Sequence, residues 1–130
     1  MALDTNVLVR FLVEDDKMQG ARAAKLIRRA VAEARPLYVS DIVVCEVVWV
    51  LTSAYRIARS EVVAILQQLL RAKHLVFSTP ERLARAIDAF DGGRGDFADY
   101  LIREHARSAG YAQVATFDRA LLREPGFVAP

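Results

Sequence analysis

Five acidic residues stand where a solvated charge is not expected: Asp4, Glu46, Asp96, Asp99 and Asp118. Asp4 ends the apolar stub Met1-Ala2-Leu3, and Glu46 interrupts the apolar run from Ile42 to Leu51. Asp96 and Asp99 open a helix-like segment after a glycine-rich turn, and Asp118 follows the strand-like Gln113-Val114-Ala115. An unpaired charge next to buried structure is costly. No matching set of buried lysines or arginines is visible in the pattern, so a divalent cation is the simplest common partner. Carboxylates crowded together repel one another, and one or two such ions remove the repulsion. Hard oxygen ligands suit Mg²⁺ or Mn²⁺ rather than zinc. An ion of this kind activates water and stabilises charge building on a phosphate oxygen, which is phosphodiester chemistry.

Each acid also has an ordinary structural explanation. Asp4 before Thr5-Asn6 fits a helix cap. Asp96 and Asp99, three apart, fit a capping box at a helix start, where the helix dipole favours negative charge. Asp118 fits a turn residue paired with Arg119. Glu46 is the most informative, because its helical neighbours Ile42, Val43, Trp49 and Val50 are all apolar. Its competing reading is a lone solvated glutamate, or one paired with an arginine.

The elements that would position these groups alternate. Strands are expected at Met1–Leu3, Leu37–Val39, Leu75–Phe77, Gln113–Ala115 and Gly126–Val128. Helices are expected at Val7–Val13, Met18–Ala34, Ile42–Tyr55, from Ser60 to about Lys73, from Thr79-Pro80 to Phe90, and at Phe97–Ala109 with Gly110 as its stop. Asp91 to Gly95 reads as a flexible, hinge-like loop. Strands separated by helices imply an α/β fold with parallel pairing and helices on both faces of the sheet. Ligand crevices in such sheets lie beyond the carboxyl ends of the strands. Asp4 and Asp118 each follow a strand directly, and this topology brings all five acids to one edge.

The chain has 130 residues, which fits one domain, and a 54% hydrophobic share excludes a disordered chain. A net charge of +2 is compatible with nucleic acid and equally with solvated helix faces such as Arg22, Lys25, Arg28 and Arg29. The single cysteine, Cys45, lies in the apolar run and argues against a disulfide scaffold or a thiolate metal site. His74 and His105 lack a metal-ligand spacing. Gly92-Gly93-Arg94-Gly95 does not follow a strand as a dinucleotide fingerprint must, and no phosphate-binding loop of the G-x-x-x-x-G-K-[ST] type is present. Asp4 and Arg10 break the N-terminal apolar stretch, so a signal peptide is not expected. No run is long enough to span a bilayer. A soluble cytoplasmic protein with no membrane association is the expectation.

Leu3-Asp4-Thr5-Asn6-Val7-Leu8, Glu46 in its apolar helix, Asp96-Phe97-Ala98-Asp99-Tyr100-Leu101-Ile102 and Thr116-Phe117-Asp118 resemble, in order and spacing, a PIN domain. The compact form resembles the toxin ribonuclease of VapBC-type toxin–antitoxin pairs. The resemblance implies a three-layer α/β/α fold around a central parallel sheet of four to five strands, in one domain over residues 1–130. It implies Mg²⁺- or Mn²⁺-dependent cleavage of RNA by one or two ions. By position, Asp4, Glu46 and Asp99 match the family's principal acids, and Asp118 its more variable fourth. Thr5, Asn6 and Thr116 match supporting polar positions, and Asp96 matches an acid found in part of the family. A homodimer and a small cognate antitoxin are further implications. The competing readings are a PIN-like protein that binds RNA or a partner without cutting, and a nuclease acting in RNA processing or on DNA. A metal-dependent phosphatase or receiver-like domain fits less well, because Asp4-Thr5-Asn6 lacks the second aspartate and the phosphate-binding lysine of such sites.

Overall fold

The computed structural model describes all residues from Met1 to Pro130, as two compact units, Met1–Ser78 and Thr79–Pro130. In the first unit, α1 (Thr5–Leu12) starts at Asp4, whose side chain accepts the Val7 N–H. Asp16 caps α2 (Lys17–Ala32) in the same way through the Gln19 N–H. Ala34, at a φ of 51°, takes the left-handed turn that ends this helix before Pro36. β1 (Leu37–Tyr38) leads to Ser40, which caps α3 (Asp41–Ser53) through the Val43 N–H. The fourth helix, α4 (Arg59–Arg71), begins after Ala58 without a side-chain cap, so the expected Ser60 start lies one residue inside it. β2 (Leu75–Val76) closes the unit.

The strand pairing is parallel throughout. β1 and β2 pair with Leu37 opposite Leu75 and Tyr38 opposite Val76. The N-terminal stub joins the other edge of β1 through a bridge between Ala2 and Tyr38. The Leu3 N–H donates to the Tyr38 carbonyl, and the Tyr38 N–H to the Met1 carbonyl. The stub, β1 and β2 therefore run side by side in one direction. Asp4 leaves the carboxyl end of the first, and α3 leaves that of the second. Beneath them Leu8, Leu37, Val39, Val47, Leu51, Val62 and Leu66 are essentially solvent-free, and α1 packs against both α2 and α3.

The second unit contains α5 (Pro80–Gly92), with proline in its first turn, and α6 (Phe97–Ser108) packed against it. Phe90 and Phe97 meet edge to face across the connection, with centroids 5.8 Å apart. After Gly110, at a φ of 93°, come β3 (Val114–Ala115), a 3-10 turn at Leu121–Arg123 and β4 (Phe127–Val128). β3 and β4 pair in parallel, Val114 opposite Phe127. All five expected strand positions are extended and paired in parallel, in ladders only two residues long where strands are defined, and six helices lie at the expected places, giving an α/β fold.

Two local expectations fail. Asp91 and Gly92 belong to α5, and Gly93 and Gly95 are closely packed, with Arg94 exposed between them. A Cβ on Gly93 would overlap the Tyr100 hydroxyl and lie 2.6 Å from the Ala89 carbonyl; one on Gly95 would lie 2.5 Å from Leu121. The glycines here allow close approach to the Tyr100 side chain. Secondly, α3 is not buried all round: Ile42, Glu46 and Trp49 form an exposed stripe, and Cys45 is half-buried. Its apolar content concealed a solvent-facing side, because a helix this rich in valine shows little amphipathic contrast. No helix is long and apolar enough to cross a membrane.

Candidate functional site

The first unit brings two of the expected acids together. Asp4 stands where the N-terminal stub ends, and one oxygen is used in capping α1 through Val7 at 3.2 Å. Glu46 projects from the second turn of α3. The next residue after Asp4, Thr5, donates its hydroxyl to Glu46 Oε2. That bond joins the carboxyl ends of the first two strand segments and fixes the glutamate's direction. Thr5 is thus in contact with the acid it was expected to support; Asn6 is exposed beside it. Asp4 and Glu46 are both exposed, which corrects the expectation of carboxylates embedded in apolar structure. They are solvated groups held in place by a cap and a hydroxyl.

The second unit carries the other acids at the start of α6 and after β3. Asp96 and Asp99 form the capping box expected from their spacing. Asp99 Oδ2 accepts the Asp96 N–H at 2.9 Å. Asp118 closes a tight turn: its Oδ1 accepts the Ala120 N–H at 2.9 Å, and its own N–H donates to Thr116 Oγ1 at 3.0 Å. The turn agrees with the ordinary reading of Asp118, with the Ala120 N–H as the partner of its carboxylate. Thr116 supports Asp118 directly.

Asp99 is the half-buried member of the set. Partial burial pushes its pKa above the ordinary value; the Asp96 N–H pulls the other way, and the charges of Asp96, Asp118 and Glu124 push it up again. The charges acting most strongly on Asp99 are therefore all negative. A site that raises the energy of its own anion is one that a cation would relieve.

Glu124 and Tyr100 belong to this neighbourhood and were not singled out from the sequence. The Tyr100 hydroxyl donates to Glu124 Oε2 at 2.7 Å and accepts the Gly95 N–H at 2.8 Å. Glu124 Oε1 also accepts the Arg94 N–H at 3.3 Å. Tyr100 thereby ties the loop before α6 to the segment after the 3-10 turn. A glutamate before Pro125 carries no local signal for such a role; only the third dimension pairs it with Tyr100. Tyr100 and Glu124 also line, with Gly93, Asp88 and Arg107, a cavity of about 370 Å³.

The expected lack of buried basic residues is also corrected. Arg103 and Glu104 on α6 are both buried. Glu104 faces Arg85 at 3.1 Å, Arg107 at 3.0 Å and Arg103 at 3.4 Å. Arg103 also donates to the Pro125 carbonyl at 3.0 Å and lies over the rings of Tyr100 and Phe127. The pair was hidden in the helix pattern because Arg103-Glu104 reads as a solvated helix face.

The donor set offered by Asp4, Glu46, Asp96, Asp99 and Asp118 consists wholly of carboxylate oxygens, the ligand chemistry that Mg²⁺ and Mn²⁺ take. Within neither unit do three such groups stand close enough together to close a metal site. The fit to a hard divalent cation is one of donor chemistry: every group offered is a carboxylate oxygen. A comparison with curated proteins finds no match. The family model for the PIN domain matches residues 1–127, across both units. The chain belongs to the PIN domain family, whose members are generally metal-dependent nucleases.

Proposed function

We propose that this protein is an endoribonuclease dependent on Mg²⁺ or Mn²⁺, acting as the toxin of a VapBC-type toxin–antitoxin pair. In this reading Asp4, Glu46 and Asp99 are the principal metal ligands, Asp118 assists, and Asp96 serves as cap and additional ligand. One or two ions are held. The two units together form one PIN-like domain over residues 1–130, in a cytoplasmic homodimer regulated by a small cognate antitoxin. The observation that carries the reading is Asp99, a half-buried carboxylate whose burial and neighbouring charges, those of Asp96, Asp118 and Glu124, all disfavour its anion.

A divalent ion bound there would supply Lewis-acid activation of water and charge stabilisation at the phosphate. The chain's own residues do the positioning. Thr5 holds Glu46 in one direction, and the α1 cap orients Asp4. Thr116 shapes the turn that presents Asp118. The Asp96 N–H leaves Asp99 one oxygen outside the capping box. Asn6, exposed beside Thr5, is the remaining supporting polar group. No side-chain nucleophile is needed.

The test is cleavage of single-stranded RNA by purified protein with Mg²⁺ or Mn²⁺, beside EDTA and beside a DNA of the same sequence. Metal-dependent cutting of RNA alone supports the reading. Cutting of DNA alone, or binding of RNA without metal-dependent turnover, overturns it. A small reading frame for a DNA-binding protein directly upstream would favour the toxin assignment.

A further inference from the structure

Two large aromatic side chains stand in water beside the candidate acids, one in each unit. Trp49 is 68% exposed and Phe117 is 89% exposed. Isolated exposed apolar residues need no explanation. These two share a placement that does. Trp49 lies one turn beyond Glu46 on the exposed stripe Ile42-Glu46-Trp49 of α3. Helical side chains lean back toward the N-terminal turn, so the indole covers the surface next to Glu46. In the second unit the Thr116–Asp118 and Asp118–Ala120 bonds tie the neighbouring residues into a tight turn. Phe117, between them, is thrust into solvent.

We propose that Trp49 and Phe117 are platforms on which unpaired bases of single-stranded RNA stack, each beside an acid of the cleavage site. The proposal rests on the ribonuclease reading above and adds to it the residues that select unpaired strands. Every base has a π-face, so stacking on an aromatic ring tolerates any sequence while requiring a base freed from pairing. The occupant follows from position: Trp49 lies one turn from Glu46 and Phe117 directly before Asp118, so a strand held at either acid for cleavage meets an aromatic ring beside it. A base stacked on Trp49 covers the indole and leaves the Glu46 carboxylate wet.

Trp49 is the single tryptophan of the chain, so its emission reports on this contact alone. The experiment uses the full chain in an Asp99→Asn background, where RNA stays intact. Tryptophan emission and the anisotropy of a dye-labelled single-stranded RNA are followed together. The expected result is quenching on binding, lost with an RNA of abasic residues and with the same sequence as a duplex. Trp49→Ala and Phe117→Ala each weaken binding by about tenfold, within the range of losing one stacked base, and Trp49→Phe restores most of it. In the cutting protein Trp49→Ala raises KM and leaves kcat near its starting value. RNA that binds and is cut with unchanged emission, and equally well by Trp49→Ala, overturns the stacking and leaves the ribonuclease standing. Neither binding nor cutting overturns both. Emission that shifts with protein concentration alone, with a doubled sedimenting mass and no response to RNA, assigns Trp49 to a contact between two copies and overturns the proposal.

Discussion

Asp99 and Glu104 lie five residues apart on the same helix, and the chain treats them in opposite ways. Glu104 is almost fully buried and faces Arg85, Arg103 and Arg107. Asp99 is half-buried, and the charges that act on it most are those of Asp96, Asp118 and Glu124. Folding alone would favour the first arrangement at both positions, because a buried charge is tolerable when it is paired. A helix that neutralises one carboxylate internally and crowds the other with like charge separates stability from function. Glu104 anchors structure, and the charges that act most on Asp99 include no cation.

Removing the anchor should have the largest effect on folding. Glu104→Gln leaves the buried Arg103 guanidinium without its countercharge, and breaking a buried pair from one side costs roughly 3–5 kcal/mol. Urea unfolding should show a lower midpoint with a similar slope. An unchanged midpoint would mean that the Pro125 carbonyl and the two aromatic rings suffice for Arg103.

The packing that holds Asp99's surroundings comes next. Gly93→Ala forces a methyl into the Tyr100 hydroxyl and should cost about 1–3 kcal/mol, the usual range for overpacking. Thermal unfolding checks this. A neutral result would show that Tyr100 moves aside and that its bond to Glu124 is dispensable.

Thr5→Val tests positioning on the other unit. It removes the hydroxyl that directs Glu46 and keeps the shape. Cleavage or metal affinity should fall by about 10- to 100-fold, as for other groups that orient ligands, with thermal stability little changed. Thr5→Ser should recover most of the loss. Equal activity in Thr5→Val would remove Glu46 orientation from the mechanism.

The smallest effect is on stability and has the opposite sign to that of Glu104. The folded state raises the Asp99 pKa, so it holds that proton more tightly than the unfolded chain does. The contribution to stability is fully present below the unfolded value and is lost as pH rises through the folded one. Without divalent cations, Asp99→Asn should therefore be more stable than the natural chain at neutral pH. The gain should be less than about 1 kcal/mol, because the group is partly solvated, and should vanish below about pH 4. Adding Mg²⁺ should stabilise the natural chain and not the variant. Destabilisation by Asp99→Asn at neutral pH would make Asp99 a structural cap like any other.

The contrast within α6 also marks what could be read from sequence. Helix starts were legible where a short polar side chain meets its own backbone, as at Asp4 and the Asp96–Asp99 box. The strand positions were legible from short apolar runs bounded by turns. The α3 stripe was not, because valine fills both faces and hides which one meets water. Arg103-Glu104 was not, because a buried ion pair has the same local pattern as a solvated one. Tyr100 and Glu124 are 24 residues apart, and no periodicity announces a hydrogen bond over that span. Local chemistry was visible; long-range pairing was not.

The most direct measurement compares cleavage of single-stranded RNA by the natural chain and by Asp99→Asn, each with Mg²⁺ or Mn²⁺ and with EDTA. The expected result is metal-dependent cutting that falls by at least about a hundredfold in the variant, the scale of losing one charge-stabilising group from an active site, while the variant stays folded. Undiminished cutting by a folded Asp99→Asn, free of contaminating nuclease, would contradict the assignment of these carboxylates as the metal site.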